Sequence, residues 1–496
     1  MSYFNSNLLL IFFSLAYISY QSEENTKVLS LIFNKDAFLT TVDNTENMRI
    51  LQNNKIYLNT KIATPIQNLK FYLKFSEYIT YVTNSTYKKD DSTTYQFTRT
   101  KNNGKTSEFT PLNYQTDNLK SGYESKELLK LDENIINNFY FILADKINNK
   151  NEIYDSVIGL NLPLNDIRPV LMNTNILEQL KQNNFIDKRV FSIFYFNEIS
   201  VGKINNKDGE GQIIFGKLPH ELNNDKKYSE ILKKYNFNED NLNWINTEAG
   251  EYHIKWKLKF DSIVCANEKT SDLITELVIE QTVITGTSEF KNIIQKYFFD
   301  EYISKNLCKE EKFYSYRDNL QYYFYSCDIS IKSYFDKYNN DILEFKSKDL
   351  DNTFSFKIKE LFLEFSNRLY FGIIFDEYQM YGWKLGRLFL EKYPLIFSMD
   401  NKAIGYYNQN ANNTNNNSNK TVIIILIVIV FILLIILCIG LRKYKILKGL
   451  MPRKLMANEL HDQYSYSHVE DNKKEKEITT EMSSKSNYNS ISSLGF

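Results

Sequence analysis

Residues 422–441 form a run of 20 residues without a charged side chain, built almost wholly of Ile, Val and Leu. At about 1.5 Å of rise per residue, a helix of that length covers a hydrocarbon core of roughly 30 Å. Such a run divides the chain that holds it, because what folds in water must then fold to one side. Arg442, Lys443, Lys445 and Lys448 follow at once, and the bias of basic residues toward the cytosol puts the tail there. A shorter apolar run, residues 8–18, stands close behind Met1. It reads as a signal peptide within residues 1–22, with cleavage near residues 19–22, although no basic segment precedes it. The expected molecule is a single-pass membrane protein with a transmembrane helix at 421–441 and its bulk lumenal or extracellular.

Sequons agree with that orientation. Asn84, Asn412 and Asn416 are glycosylation candidates on the expected lumenal side, and Asn419 adds one close to the membrane. Residues 408–420 are polar, Asn-rich and without an apolar face, so they read as a stalk. The tail, residues 442–496, is charged and Ser-rich, a composition that favours disorder. Within it, Tyr466-Ser467-His468-Val469 fits the short Tyr-x-x-apolar pattern read by trafficking adaptors, a pattern that chance supplies easily in a chain with 36 Tyr.

Between signal and stalk, strand patterns outnumber helical ones. Residues 190–196 and 212–215 are apolar runs of strand length, and residues 252–264 largely alternate apolar with polar. Helical pattern is brief, at residues 176–183 and 290–307. Helices do not alternate regularly with strands, so a mostly β fold is expected rather than a doubly wound α/β one. A net charge of +0 gives no positive field to steer onto phosphates, which argues against a nucleic-acid partner. The lumenal region has His220 and His253 but no His-Glu-x-x-His, no Gly-x-Ser-x-Gly and no Walker-type loop. No metal or cofactor is expected. Cys265 with His253 could in principle form a nucleophile pair, but a bystander thiol is the simpler reading.

One stretch carries a more specific signal. Val283-Ile284-Thr285-Gly286-Thr287-Ser288 resembles half of the active site of pepsin-like aspartic proteases, apolar-apolar-Asp-Thr-Gly-Thr, with Ile284 where the aspartate would stand. Other residues extend the resemblance. Ala63-Thr64-Pro65-Ile66-Gln67 is similar to the family's Gly-Thr-Pro-Pro-Gln turn, and Tyr81-Val82 to its Trp-Val. Counted from either anchor, the first catalytic position falls on Lys74, followed by Phe75 and Ser76. Ser92-Thr93-Thr94-Tyr95 resembles the family's Ser-Ser-Thr-Tyr. Tyr114 stands at the flap tyrosine, though Gln115 and Asp117 replace the flap glycines. Asp155-Ser156-Val157-Ile158-Gly159-Leu160 resembles Asp-Gly-Ile-Leu-Gly-Leu, whose apolar pair and Gly pack behind the active-site loop. Trp383-Lys384-Leu385-Gly386-Arg387 resembles the matching Trp-Ile-Leu-Gly-Asp of the second lobe, with Lys384 and Arg387 as departures.

The resemblance covers about residues 55–407. It implies a two-lobed pepsin-like β fold: an N-terminal lobe over 55–240, a C-terminal lobe over 241–407, and a leader or prosegment over 23–54. It also implies a disulfide between Cys308 and Cys327, where the family often has one. Its chemistry needs two carboxylates sharing one proton, and on this register Lys74 and Ile284 supply neither. Glu77 and Glu280 lie three and four positions from those two. The expected function is therefore a pseudopeptidase whose cleft holds a peptide or protein, with Thr285, Gly286, Thr287 and Ser288 as loop neighbours. An active aspartic endopeptidase in another register and a structural surface protein remain the alternatives.

Overall fold

A computed structural model describes residues 27–36, 43–98, 108–109, 119–147, 156–162, 173–196, 210–247, 255–376 and 382–409, apart from residues 224, 229–231, 236, 267, 317–318 and 339–340, together with Ile439. The described residues up to Gln409 belong to one compact unit, Met1–Ala411. The fold is mostly β, in two large mixed sheets of 14 and 11 strands among the described residues. Among these residues no helix is long and apolar enough to cross a membrane. The run at 421–441 lies outside them except for Ile439, as do Tyr114, Asn412, Asn416 and the tail with Tyr466.

One end of the first sheet is antiparallel and draws on both halves of the chain. Its order is Leu242–Asn246, Ala403–Tyr407, Ile396–Ser398, Val190–Tyr195, Gly211–Phe215, Leu29–Lys35. Val190–Tyr195 is buried along its whole length because both faces are covered. Phe191, Ile193 and Tyr195 face the main core, whereas Phe194 faces a second cluster with Ile214, Leu222, Tyr228, Phe237, Ile396 and Tyr407. A strand covered on both sides has no polar face, which is why this segment reads as a mainly apolar run, with Ser192 its one polar residue. Residues 29–35, expected in the leader, are the strand Leu29–Lys35, paired with Gly211–Phe215.

The expected alternating segment yields Lys257–Cys265, and the first helical pattern yields Ile176–Gln182, capped by Asn175 through its side chain. The second pattern is broken into Ser288–Ile294, a π turn at Gln295–Phe299, and Asp300–Ser304. The strands Cys308–Ser315 and Leu320–Asp328 form a hairpin, with Cys308 opposite Cys327 and a disulfide joining them.

One helix makes an excursion between the sheets. Leu29–Lys35 and Ile56–Ile62 are neighbours in the first sheet. Between them α1, Asn44–Gln52, lies against the strand Cys308–Ser315 of the second. Asp43 caps α1 by accepting from the Thr45 amide at 2.9 Å. Met48 and Leu51 are buried, one helical turn apart on one face.

Candidate functional site

The strand pairings fix which residues of the two lobes correspond. In the first lobe Gln67–Lys74 runs parallel to Ser156–Gly159, with Leu73 opposite Ile158 and Lys74 opposite Gly159. Tyr81–Thr83 is antiparallel to Ser156–Gly159, with Tyr81 opposite Val157, and parallel to Asn134–Ile147. The second lobe repeats the pattern. Glu268–Leu277 runs parallel to Lys384–Leu385, with Leu277 opposite Leu385. Ile284–Gly286 is antiparallel to Lys384–Leu385 at Thr285 and Lys384, and parallel to Ile373–Asp376.

Leu73 thus matches Leu277, and Tyr81 matches Thr285, both at an offset of 204 residues (277 − 73 and 285 − 81). Two glycines confirm the offset. A Cβ on Gly159 would lie 2.6 Å from the Glu77 carbonyl oxygen, and one on Gly386 would lie 2.5 Å from that of Gln281, 204 residues on from Glu77. Only glycine allows backbone to pass that close. The residue that matches Lys74 is Val278, and Ile284 matches Thr80.

The expectation that Ile284 is the counterpart of Lys74 therefore does not follow the pairings. Ile284 begins a buried strand next to Ile373, and the residues expected beside a half-site serve local structure. Thr285 accepts from the Gln281 side chain at 2.9 Å. Gly286 packs against Ile373, and Thr287 caps the helix Ser288–Ile294 through its hydroxyl. The loop that matches residues 74–77 is Val278-Ile279-Glu280-Gln281, which sequence reasoning missed. None of these four residues is of the type the family's Asp-Thr-Gly-Thr would lead one to seek.

The lobes meet at matched residues. Ser76 and Glu280 are 204 positions apart, and the Ser76 amide donates to Glu280 Oε1 at 2.8 Å. A contact between equivalent residues marks the local axis relating the lobes, so this is the floor between them. Lys74, Phe75, Glu77, Val278, Ile279 and Glu280 are all buried there. Phe75 packs on Phe397, Phe191 and Trp256, at ring-centre distances of 4.8, 5.9 and 6.4 Å. Trp256 in turn donates its indole N–H to the Leu160 carbonyl at 2.8 Å, a second link between the lobes. Asn175, the cap of Ile176–Gln182, donates to the Tyr78 carbonyl at 3.1 Å and braces the first loop.

The second loop is braced by polar groups. Asn54 donates its amide to the Glu280 carbonyl at 2.9 Å and its side chain to the Ile279 carbonyl at 2.7 Å. The Thr282 amide donates to the Gln52 carbonyl at 2.9 Å, and Asn53 bridges to Gln281. Behind the loop, Arg387 donates its backbone amide to the Gln281 carbonyl at 2.8 Å. Its guanidinium is 1% exposed, pairs with Glu210 and Glu391, and lies 4.4 Å from the Tyr195 ring centre. Lys35 completes this cluster and donates to the Thr282 hydroxyl at 3.5 Å. Burial, then the Arg387 charge, hold the Lys35 ammonium well below the usual lysine range. These charges are scattered over some 350 residues of sequence, so the cluster has no local signature.

The remaining positions are simply placed. Asn84 is exposed in the turn after Tyr81–Thr83. Cys265 is buried, and burial pushes its thiol up, away from the reactive thiolate. Among the described residues no group of three His, Cys, Asp or Glu could hold a metal ion.

Compared with known families, residues 71–409 match the model described as eukaryotic aspartyl protease. No curated protein matches the chain.

Proposed function

The chain belongs to the eukaryotic aspartyl protease family, and from that premise we propose that it is a membrane-anchored member whose cleft holds a peptide or protein without cleaving it. The observation that carries this reading is the pair Lys74 and Val278, the two matched half-site positions, neither of which has a carboxylate. The family's reaction needs one carboxylate to take a proton from the attacking water and another to donate to the peptide carbonyl. Val278 can do neither, and a lysine ammonium has no acceptor with which to activate water. Glu280, two residues past the second position, directs one oxygen onto the Ser76 amide, which favours a structural role for that carboxylate. Membership implies peptide recognition in the interlobe cleft. The apolar run at 421–441 with its basic flank supports the anchor and a lumenal or extracellular ectodomain, and the exposed Asn84 supports glycosylation. Adaptor binding at Tyr466 rests on the sequence pattern alone.

The test is cleavage of an unfolded protein by the purified chain between about pH 3 and 7, the range in which a carboxylate pair can hold one shared proton. No cleavage is expected, and pepstatin, which resembles the family's transition state, should not bind. A second reading, an active endopeptidase, is favoured by the two buried carboxylates Glu77 and Glu280 in the half-site loops. It requires pepstatin-sensitive cleavage that Glu77→Gln and Glu280→Gln each abolish.

A further inference from the structure

α1 and the two residues after it tie the first half of the chain to the second half-site loop. On the side of the second sheet, Asn44 donates to Glu311 Oε1 of the hairpin at 2.9 Å and accepts at 3.0 Å from the hydroxyl of Tyr370, on the strand Arg368–Phe371 beside it. Asn47 donates to the same hydroxyl at 3.0 Å, and Arg49 donates to the Tyr314 carbonyl at 3.2 Å while its guanidinium lies 5.0 Å from the Tyr316 ring centre. On the loop side, residues 52–54 form the short ladder onto Ile279, Glu280, Gln281 and Thr282 described above. The chain then returns at Ile56–Ile62 to the first sheet, where it pairs with Gln67–Lys74, the strand that ends at the first half-site position.

A helix of nine residues is marginal on its own in water, so α1 owes its order to docking. Elements of that kind are the ones that open below the global unfolding free energy. If α1 leaves the hairpin, residues 52–54 lose their fixed end. The Glu280 backbone then loses the Asn54 amide that anchors it, and the Glu280 side chain loses its hold on Ser76.

We propose that α1 with residues 52–54 is a strap that keeps the floor of the cleft shut. While it is docked, Glu280 occupies the Ser76 amide, and a ligand can reach that donor only after α1 detaches. This deepens the peptide-binding reading and rests on it for its biological meaning. Its test needs neither ligand nor cleavage, so failure of one can be told from failure of the other.

The experiment is residue-resolved amide hydrogen exchange on the detergent-solubilised full chain, comparing the parent with Asp43→Ala and Tyr370→Phe. Asp43 caps α1 from an exposed position and Tyr370→Phe removes one hydroxyl, so both variants should fold. The strap predicts that exchange at Asn54, Thr282 and Ser76 accelerates together, by about tenfold for loss of a cap or of the shared hydroxyl, while amides in Leu320–Asp328 keep their rates. Acceleration at Asn54 and Thr282 with Ser76 unchanged would overturn the coupling. No change at any of the three would overturn the strap itself. Uniform acceleration that includes Leu320–Asp328 would also count against it, because opening would then be global. Glu280→Ala supplies a separate check: Ser76 alone should exchange faster, and an unchanged Ser76 would contradict the claim that Glu280 occupies its amide.

Discussion

Phe75 follows the first half-site position and reaches into Phe397, Phe191 and Trp256. Its counterpart Ile279 is also buried, but what fixes its loop is the Asn54 side chain on its carbonyl and the Asn54 amide on the next one. The first loop is held by aromatic packing with one side-chain brace from Asn175, and the second by backbone pairing with a charged cluster behind it. Both follow the same course past a glycine, Gly159 or Gly386. The comparison teaches that the strand pattern alone sets the path of such a loop, and that quite different side chains can stabilise that path.

The comparison is broken most severely by removing each kind of support. Phe75→Ala should cost about 3–5 kcal/mol of unfolding free energy, read by urea denaturation, since it empties the centre of an aromatic cluster. A loss below about 1 kcal/mol would mean that packing does not hold the first loop. Arg387→Met should cost about 3–5 kcal/mol, because it leaves Glu210 and Glu391 in a buried site with only Lys35, whose ammonium burial disfavours. Adding Glu210→Gln and Glu391→Gln should recover much of that loss. A triple variant no more stable than Arg387→Met would rule out stranded charge as the cause.

Smaller changes sharpen the contrast. Asn54→Ala removes one buried side-chain donor and should cost about 1–3 kcal/mol, and the increase in exchange should centre on residues 279–282 and leave residues 77–83 protected. Equal loss of protection in both loops would show that they are not held separately. The least effect is expected at Ala63, which sits at φ 72 where the family's turn has glycine. Ala63→Gly should raise stability by about 1 kcal/mol through relief of a left-handed alanine, measured as an upward shift in Tm.

Much of the β architecture was legible in the chain because apolar runs and alternation record which faces are covered. The strand Val190–Tyr195 and the end of Gln67–Lys74 could both be anticipated, the latter because Gln67 and Tyr81-Val82 bracket it. The second loop was not legible for a physical reason. Thr285-Gly286 has the composition of a half-site but lies in the strand that corresponds to Tyr81–Thr83, where Gly286 serves close packing on Ile373. The real loop, Val278 to Gln281, contains no residue type that announces it. It is recognised through the pairing of Leu277 with Leu385 and of Thr285 with Lys384, which are long-range contacts. Gly386, within the motif Trp383 to Arg387, is the sequence signal that bears on it. The strap was hidden in the same way, because Asp43 and the Met48 and Leu51 stripe announce a short helix but not the surface it docks on.

The register of the two half-sites is the claim on which everything else stands, and thiol cross-linking tests it directly. Lys74→Cys combined with Val278→Cys should be joined efficiently by a short thiol-to-thiol cross-linker, because the two positions flank the floor where Ser76 meets Glu280. Lys74→Cys combined with Ile284→Cys should resist it, since Ile284 matches Thr80 and lies six residues past Val278 in the strand beside Ile373. Efficient joining of the second pair and not the first would contradict the register, and with it the assignment of Lys74 and Val278 as the positions where the carboxylates are missing.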